Sequence, residues 1–225
     1  MSFGGAKQIR ITYYLDVASS WCYWAELAWA ALKERYAGRV EFDWKVALMD
    51  AAGLPTSREQ LEWFYKRSGV MMRSPTMLNT EWLVPGAAEY LVRNLTAEAA
   101  RELGATDDRV RLALSRAVLV ERKPADDWEV AVAIGAEAGG LDKERLLECA
   151  RSPEMENRIR GSTAEFYALK VTQRPTFVID SPIGDRAVFS GFAKAAPFIA
   201  AVDSMLEDLT AYAAHAAHFG EAPAD

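Results

Sequence analysis

The chain has 225 residues, of which 51% are apolar by type, and a formal net charge of -6 at pH 7. A chain of this length can bury a full hydrophobic core, so it does not need disulfides to fold. Acidic and basic residues are mixed along the chain, which excludes the clustered positive charge that nucleic acids and anionic membranes require. We therefore expect small molecules or proteins as partners, with no nucleic acid and no membrane.

The cysteines indicate the compartment. Only Cys22 and Cys149 occur, far apart and without metal-ligand spacing, which favours a reducing compartment over a disulfide framework or a zinc site. No apolar run long enough for a secretory signal or a membrane span precedes the first predicted strand. We expect a cytoplasmic protein without a metal.

The first fifty residues follow a strand, helix, strand pattern. Residues 9–17 are rich in β-branched and aromatic side chains, typical of a buried strand. Ser19 and Ser20 are N-cap residue types, and an Ala- and Leu-rich helix follows over 21–36. Residues 40–48 alternate apolar and polar side chains, as a strand does. This order predicts a parallel strand pair with a right-handed crossover.

Strand signals are missing between residues 50 and 169, where helical patterns follow one another. Ser57 with Gln60 and Thr96 supply start signals. The predicted helices cover residues 57–68, 86–94, 97–103, 107–120, 127–138, 142–152 and 154–168.

The last part of the chain predicts a short hairpin and a closing helix. The hairpin strands are 176–179 and 187–189, the helix covers 195–214, and the tail from 216 is expected to fray. Because an isolated two-strand unit is marginal in water, the two chain ends must pair in one sheet. We predict an α/β domain formed by residues 1–49 and 170–225, with a helical insertion subdomain at 50–169.

The junction between the first strand and the first helix carries the candidate chemistry. A helix N-terminus offers unpaired N–H groups and a positive dipole end, which stabilise an anion by ~0.3–1 kcal/mol and favour a thiolate. Thioredoxin-like proteins carry a Cys-x-x-Cys pair at this place. Here Ser19 occupies the first position, so the lone Cys22 cannot cycle as a dithiol.

These residues resemble the DsbA-like branch of the thioredoxin superfamily, which includes kappa-class glutathione transferases, 2-hydroxychromene-2-carboxylate isomerases and FrnE-type dithiol oxidoreductases. The resemblance spans nearly the whole chain and rests on residues 14–23, the helical insert, and residues 173–180 and 189–191. It implies a thioredoxin-like fold with a large all-helical insertion. It also implies a cis Pro175 that faces the reactive centre, and an Arg174 backbone that pairs with a bound peptide or glutathione.

Markers of the subgroup conflict. Ser19 is similar to the transferase and isomerase serine whose hydroxyl bonds the sulfur of glutathione, and the segment around Asn79 is similar to a site-lining segment of the isomerases. Those enzymes usually hold the γ-glutamyl end with an Asp-containing turn. The corresponding Ser190-Gly191 stretch is closer to the FrnE type, although Ser190 and the N–H groups near Gly191 could still hold a carboxylate.

Several residues have plainer interpretations. Ser19 could be only an N-cap, and Cys22 only a small buried apolar residue. Cys149 fits core or inert surface, and the pair His215 and His218 lacks an evident third metal ligand. The aromatic and Met cluster fits the core of the helical insert or an apolar pocket for an electrophile, beside which an arginine could meet a carboxylate. The cluster comprises Trp63, Phe64, Tyr65, Met71, Met72, Met77 and Trp82, and the arginines are Arg67 and Arg73.

The leading hypothesis is a glutathione-dependent transferase or isomerase that holds the glutathione thiolate beside Ser19, with a hydrophobic electrophile as second substrate. The first alternative is a thiol-disulfide oxidoreductase that acts through Cys22 alone; the second is a non-catalytic binding member. A homodimer is expected from the resemblance. The candidate catalytic residues are Ser19 and Cys22, and the candidate glutathione-binding residues are Ser20, Trp21, Asn79, Arg174, Pro175, Ser190 and Gly191.

Overall fold

A computed structural model describes residues 8–50, 53–74, 77–87 and 89–220. Its elements are, in chain order, β1 (Ile9–Leu15), α1 (Ser20–Arg35), β2 (Val40–Val46), α2 (Arg58–Met72), α3 (Val92–Glu102), α4 (Arg109–Leu119), α5 (Trp128–Gly139), α6 (Lys143–Ala150), α7 (Pro153–Ala168), β3 (Thr176–Asp180), β4 (Arg186–Ser190) and α8 (Ala195–Phe219).

The strands form one mixed sheet in the order β2-β1-β3-β4. β1 pairs parallel with β2 and antiparallel with β3, and β3 pairs antiparallel with β4. The central β1 is buried along almost its whole length, because its apolar side chains are covered on both faces. The α/β prediction, the parallel first pair and the pairing of the two chain ends are confirmed.

Aromatic rings join the sheet to its covering helices. Tyr13 of β1 lies opposite Phe177 of β3 in the register, and their rings stack with centroids 4.5 Å apart. Phe198 of α8 packs on Phe177 at 4.3 Å, and Trp29 of α1 lies 5.3 Å from Tyr13. Aromatic pairs at these distances stabilise a core beyond the area that they bury.

The insertion is organised around α3, where the sequence predictions were wrong in detail. Two helices were expected at 86–94 and 97–103, whereas the structure has one helix, Val92–Glu102. Thr96 does not begin a helix, because its hydroxyl donates to the Val92 carbonyl one turn earlier, at 2.8 Å. Residue 88 of the first predicted helix lies outside the described residues. The side chains from 93 to 100 are all buried, which makes α3 the central helix of the insertion.

The last helix is longer than predicted. α8 continues to Phe219 instead of ending at 214 with fraying from 216, and its residues 211–219 are all exposed. The segment is rich in alanine, the best helix former, which explains how the helix extends beyond its packing partners. Residues 221–225 of the predicted tail lie outside the described residues.

Within the described ranges, no helix combines the length and the apolar character needed to cross a membrane. The same ranges contain no group of three or more His, Cys, Asp or Glu side chains arranged to hold a metal ion.

Candidate functional site

A buried carboxylate fixes the turn between β1 and α1. Asp16 accepts hydrogen bonds from the backbone N–H of Ala18 at 2.9 Å, from the N–H of Met49 at 3.1 Å and from the Asn94 amide at 3.2 Å. Its own carbonyl accepts from the Ser19 N–H at 3.0 Å. One side chain thus ties the turn to the end of β2 and to α3.

Ser19 is the N-cap of α1. Its hydroxyl oxygen accepts the N–H of Cys22 at 3.3 Å, and only 7% of the residue is exposed. Within the described part of the chain, the N–H groups of Ser20 and Trp21 have no acceptor. The first turn of α1 contains no acidic residue, so its unpaired donors and the helix dipole are available to an anion.

Cys22 lies behind this cap and is 3% exposed. Burial raises the pKa of its thiol to about 12, even though hydrogen bonds with the Ser19 side chain and the Asp16 backbone oppose the shift. Nearby Asp16 and Glu26 carboxylates raise the pKa further. Cys22 is therefore a neutral thiol near pH 7, whereas the nucleophilic form of a cysteine is the thiolate.

A cavity of about 310 Å³ opens beside the cap. It brings together the start of α1, the segment after β2, the inner face of α2 and the segment before β3. Three of the predicted site residues on α1 line it together with Arg174. The lining residues are Ala18, Ser19, Ser20, Trp21, Met49, Gly53, Pro55, Leu61, Phe64, Tyr65, Arg67, Trp82, Thr172, Gln173 and Arg174.

The Arg174 side chain is buried and turned onto the end of β2. Its guanidinium donates to the Ala47 carbonyl at 2.7 Å, to the Leu48 carbonyl, to the Thr172 carbonyl at 3.2 Å and to the Tyr167 hydroxyl at 2.9 Å. These partners are all neutral oxygens, so no carboxylate bonds the Arg174 guanidinium directly.

The backbone of Arg174 is unpaired. Neither its N–H nor its carbonyl has a hydrogen-bond partner among the described residues, and the peptide bond to Pro175 is cis. Pro175 is buried and lies outside the cavity wall, and its carbonyl accepts the N–H of Gly191 at 2.8 Å. An extended ligand could therefore pair with the free groups of Arg174.

Ser190 and Gly191 lie beside this segment but outside the cavity wall. The Ser190 hydroxyl donates to the Gln173 carbonyl at 3.2 Å and accepts from the Thr176 hydroxyl at 3.1 Å. Gly191 has φ +78°, and a Cβ at this position would lie 3.4 Å from the Cβ of Gln173. In this arrangement the two residues hold the segment that carries Gln173 in place.

Asn79 lies away from the cavity. Its amide donates to the Val118 carbonyl at 2.5 Å, its side-chain oxygen accepts the Glu81 N–H at 3.0 Å, and its own N–H donates to the Leu119 carbonyl at 2.9 Å. The structure therefore places Asn79 at the junction between its segment and the end of α4.

The aromatic and Met cluster divides into two groups. Phe64, Tyr65 and Trp82 line the cavity, and the Trp82 N–H donates to the Tyr65 hydroxyl at 3.0 Å. Trp63 and Met71 on the outer side of α2, and Met77 in the segment after it, are each nearly 60% exposed. Met72 is partly buried against the core. The expectation of a common core is wrong for the exposed residues; on α2 the reason is that the helix packs through the one face that carries Leu61, Tyr65 and Ser68.

Sequence reasoning missed Asp16 and Asn94 as site-organising residues. Asn94 accepts the Val17 N–H at 3.1 Å while its amide bonds Asp16, so the two side chains form one network. A polar residue directly after a buried strand was the available signal for Asp16. For Asn94, inside a helix of the insertion, the sequence gives no local signal.

The mixed sheet, the crossing helices and a capped helix beside an X-Pro segment define a protein with the thioredoxin fold. The family model of the DSBA-like thioredoxin domain matches residues 10–197. This match covers most of the chain, so the chain belongs to the DSBA-like thioredoxin domain family, whose fold is that of the DsbA-type thiol-disulfide oxidoreductases.

Solved structures with low sequence identity share the fold. A protein disulfide isomerase candidate of Nitrosomonas europaea is 14% identical with TM-score 0.73, covering 92% of this chain and 99% of its own. The cytosolic disulfide reductase DsbM of Pseudomonas aeruginosa is 18% identical with TM-score 0.70, covering 88% and 98%. The same reductase with GSH is 16% identical with TM-score 0.66, covering 88% and 99%. No curated protein matches the chain significantly.

Proposed function

We propose that this chain is a cytoplasmic glutathione-dependent transferase or isomerase that binds the glutathione thiolate at the N-terminus of α1, beside Ser19. The observation that carries the proposal is the cavity in which Ser19, the free N–H groups of Ser20 and Trp21, and the unpaired backbone of Arg174 meet. The proposal is supported by analogy with a structural neighbour, the reductase DsbM, which is described as cytosolic and whose structure was solved with GSH.

The residues present fit glutathione. The cavity volume of about 310 Å³ falls within the range of small-molecule sites. The unpaired N–H and carbonyl of Arg174 match the two hydrogen bonds that an extended peptide backbone makes with a strand-like segment. The Arg67 guanidinium suits a carboxylate, and the Arg174 guanidinium, which bonds protein oxygens, adds a second positive charge to the wall.

When bound, glutathione supplies the thiol that attacks the second substrate. The N–H groups of Ser20 and Trp21 and the dipole of α1 favour the thiolate form of a sulfur placed at the helix end. The Ser19 oxygen accepts the Cys22 N–H, and its single proton, which bonds the Cys22 thiol in the free protein, turns to the glutathione sulfur when that sulfur is bound. The aromatic wall of Trp21, Phe64 and Trp82 excludes water and provides a surface for a hydrophobic electrophile.

The alternative is thiol-disulfide exchange through Cys22. Family membership supports this chemistry, whereas the burial of Cys22 and the pKa of about 12 oppose it, because a mixed disulfide must form on an accessible thiolate. In the proposed mechanism, Cys22 donates its N–H to Ser19 and does not react. The homodimer expected from the resemblance stays a prediction.

Calorimetric titration with reduced glutathione tests the proposal. The wild-type protein and Cys22→Ala should bind with affinities within about threefold of each other, and Ser19→Ala should bind at least fivefold more weakly. Binding that disappears in Cys22→Ala would favour exchange through Cys22. No binding by any of the three proteins would overturn the proposal and leave the non-catalytic alternative.

A further inference from the structure

The charged side chains in the cavity wall are cations. Arg67 and Arg174 are the charged members among the described residues that line it. The N-terminus of α1 adds the free N–H groups of Ser20 and Trp21 at the same cavity. Helix N-termini and guanidinium groups both attract anions, so the wall favours a ligand with net negative charge.

Arg174 carries a charge that its hydrogen bonds do not neutralise. They end on the Ala47, Leu48 and Thr172 carbonyls and on the Tyr167 hydroxyl. Arg174 is linked to a carboxylate only indirectly: the Tyr167 hydroxyl, which accepts from Arg174, donates to Asp50 at 2.6 Å. In a buried site such a cation interacts with ligand charges more strongly than it would in water.

Arg67 is placed as a second cation at the exposed side of the cavity. Its guanidinium lies over the rings of Trp63 and Phe64, at 5.1 and 5.0 Å from their centroids. Arg67 makes no ion pair with any described residue. Stacking on two rings holds the guanidinium in place and leaves its N–H groups free to bind a carboxylate.

The sequence adds no carboxylate at the internal positions outside the described ranges. These positions are Ala51, Ala52, Pro75, Thr76 and Ala88. The polar side chains offered by the segment before β3 are those of Thr172 and Gln173, which are neutral. A positively charged group of a ligand would therefore meet neutral oxygens and two arginines in this wall.

We infer that the cosubstrate selected by this cavity is a polyanionic thiol, recognised through its thiolate and its carboxylates, and that an ammonium group on it adds nothing to its affinity. This inference rests on the proposed function. Glutathione carries two carboxylates, which are attracted by the free guanidinium of Arg67 and by the positive charge of Arg174, and one ammonium group, which the wall leaves without a charged partner. Thiols of this class that lack the amino group bind as tightly as glutathione or more tightly.

Calorimetric titration of the full chain with two ligands tests the inference. One ligand is glutathione, and the other is glutaryl-cysteinylglycine, which has hydrogen in place of the α-ammonium group. We expect the glutaryl analogue to bind as tightly as glutathione or up to tenfold more tightly. If glutathione binds and the analogue binds tenfold or more weakly, the inference is overturned while the proposed function stands. If neither ligand binds, both are overturned.

A variant that adds a negative charge to the cavity wall, paired with a control variant that adds the same charge elsewhere, gives a second test of the inference. Gln173→Glu introduces a carboxylate of the same shape, and we expect the ratio of glutathione affinity to analogue affinity to rise at least fivefold. Gln8→Glu adds the same charge at the opposite end of β1, where Gln8 bonds the Gly38 carbonyl, and should leave the ratio unchanged. A ratio that is unchanged in Gln173→Glu, or that rises equally in both variants, contradicts the inference.

Discussion

The hydroxyl oxygen of Ser19 accepts the backbone N–H of Cys22 at 3.3 Å, so the residue at the first position of the motif caps the helix that buries the second. Ser19 lines the cavity, whereas Cys22 does not. Of the two candidate catalytic residues, Ser19 therefore faces the cavity, and Cys22 faces the hydrophobic core. Ser19 is therefore the residue placed to recognise a ligand sulfur.

Cys22 should resist thiol reagents in the native protein. With a pKa of about 12, its thiolate fraction at pH 7 is more than about a thousandfold below that of a free cysteine of pKa ~8.5. We expect iodoacetamide to label Cys22 in Cys149→Ala only after unfolding, as mass spectrometry would detect. Labelling at the rate of a free cysteine in the folded protein would refute the burial of the thiol.

Ser19→Ala should lower both stability and glutathione affinity. Loss of an N-cap costs about 1 kcal/mol, which urea denaturation measures, and titration measures the binding. Ser152→Ala is the matched control, since Ser152 caps α7 by accepting the Met155 N–H at the same 3.3 Å distance and lies outside the cavity wall. It should show a similar loss of stability with unchanged affinity. Equal affinity losses in the two variants would mean that Ser19 acts only as a cap.

Arg174→Leu should destabilise the fold. The substitution leaves the buried Ala47 and Leu48 carbonyls without their donor, and each unsatisfied group costs about 1–3 kcal/mol. We expect a loss of about 2–4 kcal/mol in the free energy of unfolding by urea. The control Arg186→Leu removes an exposed pair with Asp180, worth less than about 1 kcal/mol. Similar losses in both variants would show that Arg174 does not support the end of β2.

The Arg93–Asp126 pair predicts a pH dependence of stability. Burial raises the pKa of Asp126 to about 6, and Arg93 only partly opposes this shift. The folded state therefore binds a proton more tightly than the unfolded state, whose Asp has a pKa near 3.9. This group favours folding most at low pH, and its contribution is lost as pH rises from about 4 through 6.

Urea denaturation of the wild type and of Asp126→Asn at several pH values between 4 and 7 measures this contribution. The wild-type stability should decline relative to that of the variant as pH rises through the window. Parallel pH profiles for the two proteins would show that Asp126 titrates at its ordinary pKa.

The sequence predicted the parts of the fold that local patterns determine. The strand predicted at residues 9–17 and the cap at Ser19 follow from side-chain type and spacing; the cap is present, and the strand is present but ends at Leu15. The helix α3 was predicted as two because Thr96 has the residue type of a cap, and only its burial among neighbouring helices makes it an interior residue. Tertiary packing overrides propensity in such cases.

The candidate site was predictable only in its sequence-local part. Ser19, Ser20 and Trp21 are contiguous and line the cavity as a group. Arg174 was proposed as a site residue for its backbone. Its side chain also makes buried hydrogen bonds to the carbonyls that follow β2, and the sequence could not predict these because the two segments are far apart along the chain. Asn79 was chosen from a similar segment, and its amide instead bonds α4.

The central claim is that the helix end beside Ser19 stabilises a glutathione thiolate, and a pH titration of the thiolate ultraviolet absorption of bound glutathione tests it most directly. We expect the thiol pKa of bound glutathione to fall by about one unit or more below the ~8.5 of a free cysteine thiol in the wild type and in Cys22→Ala, and to return toward that value in Ser19→Ala. A bound thiol whose pKa stays at or above its free value in the wild type would contradict the account.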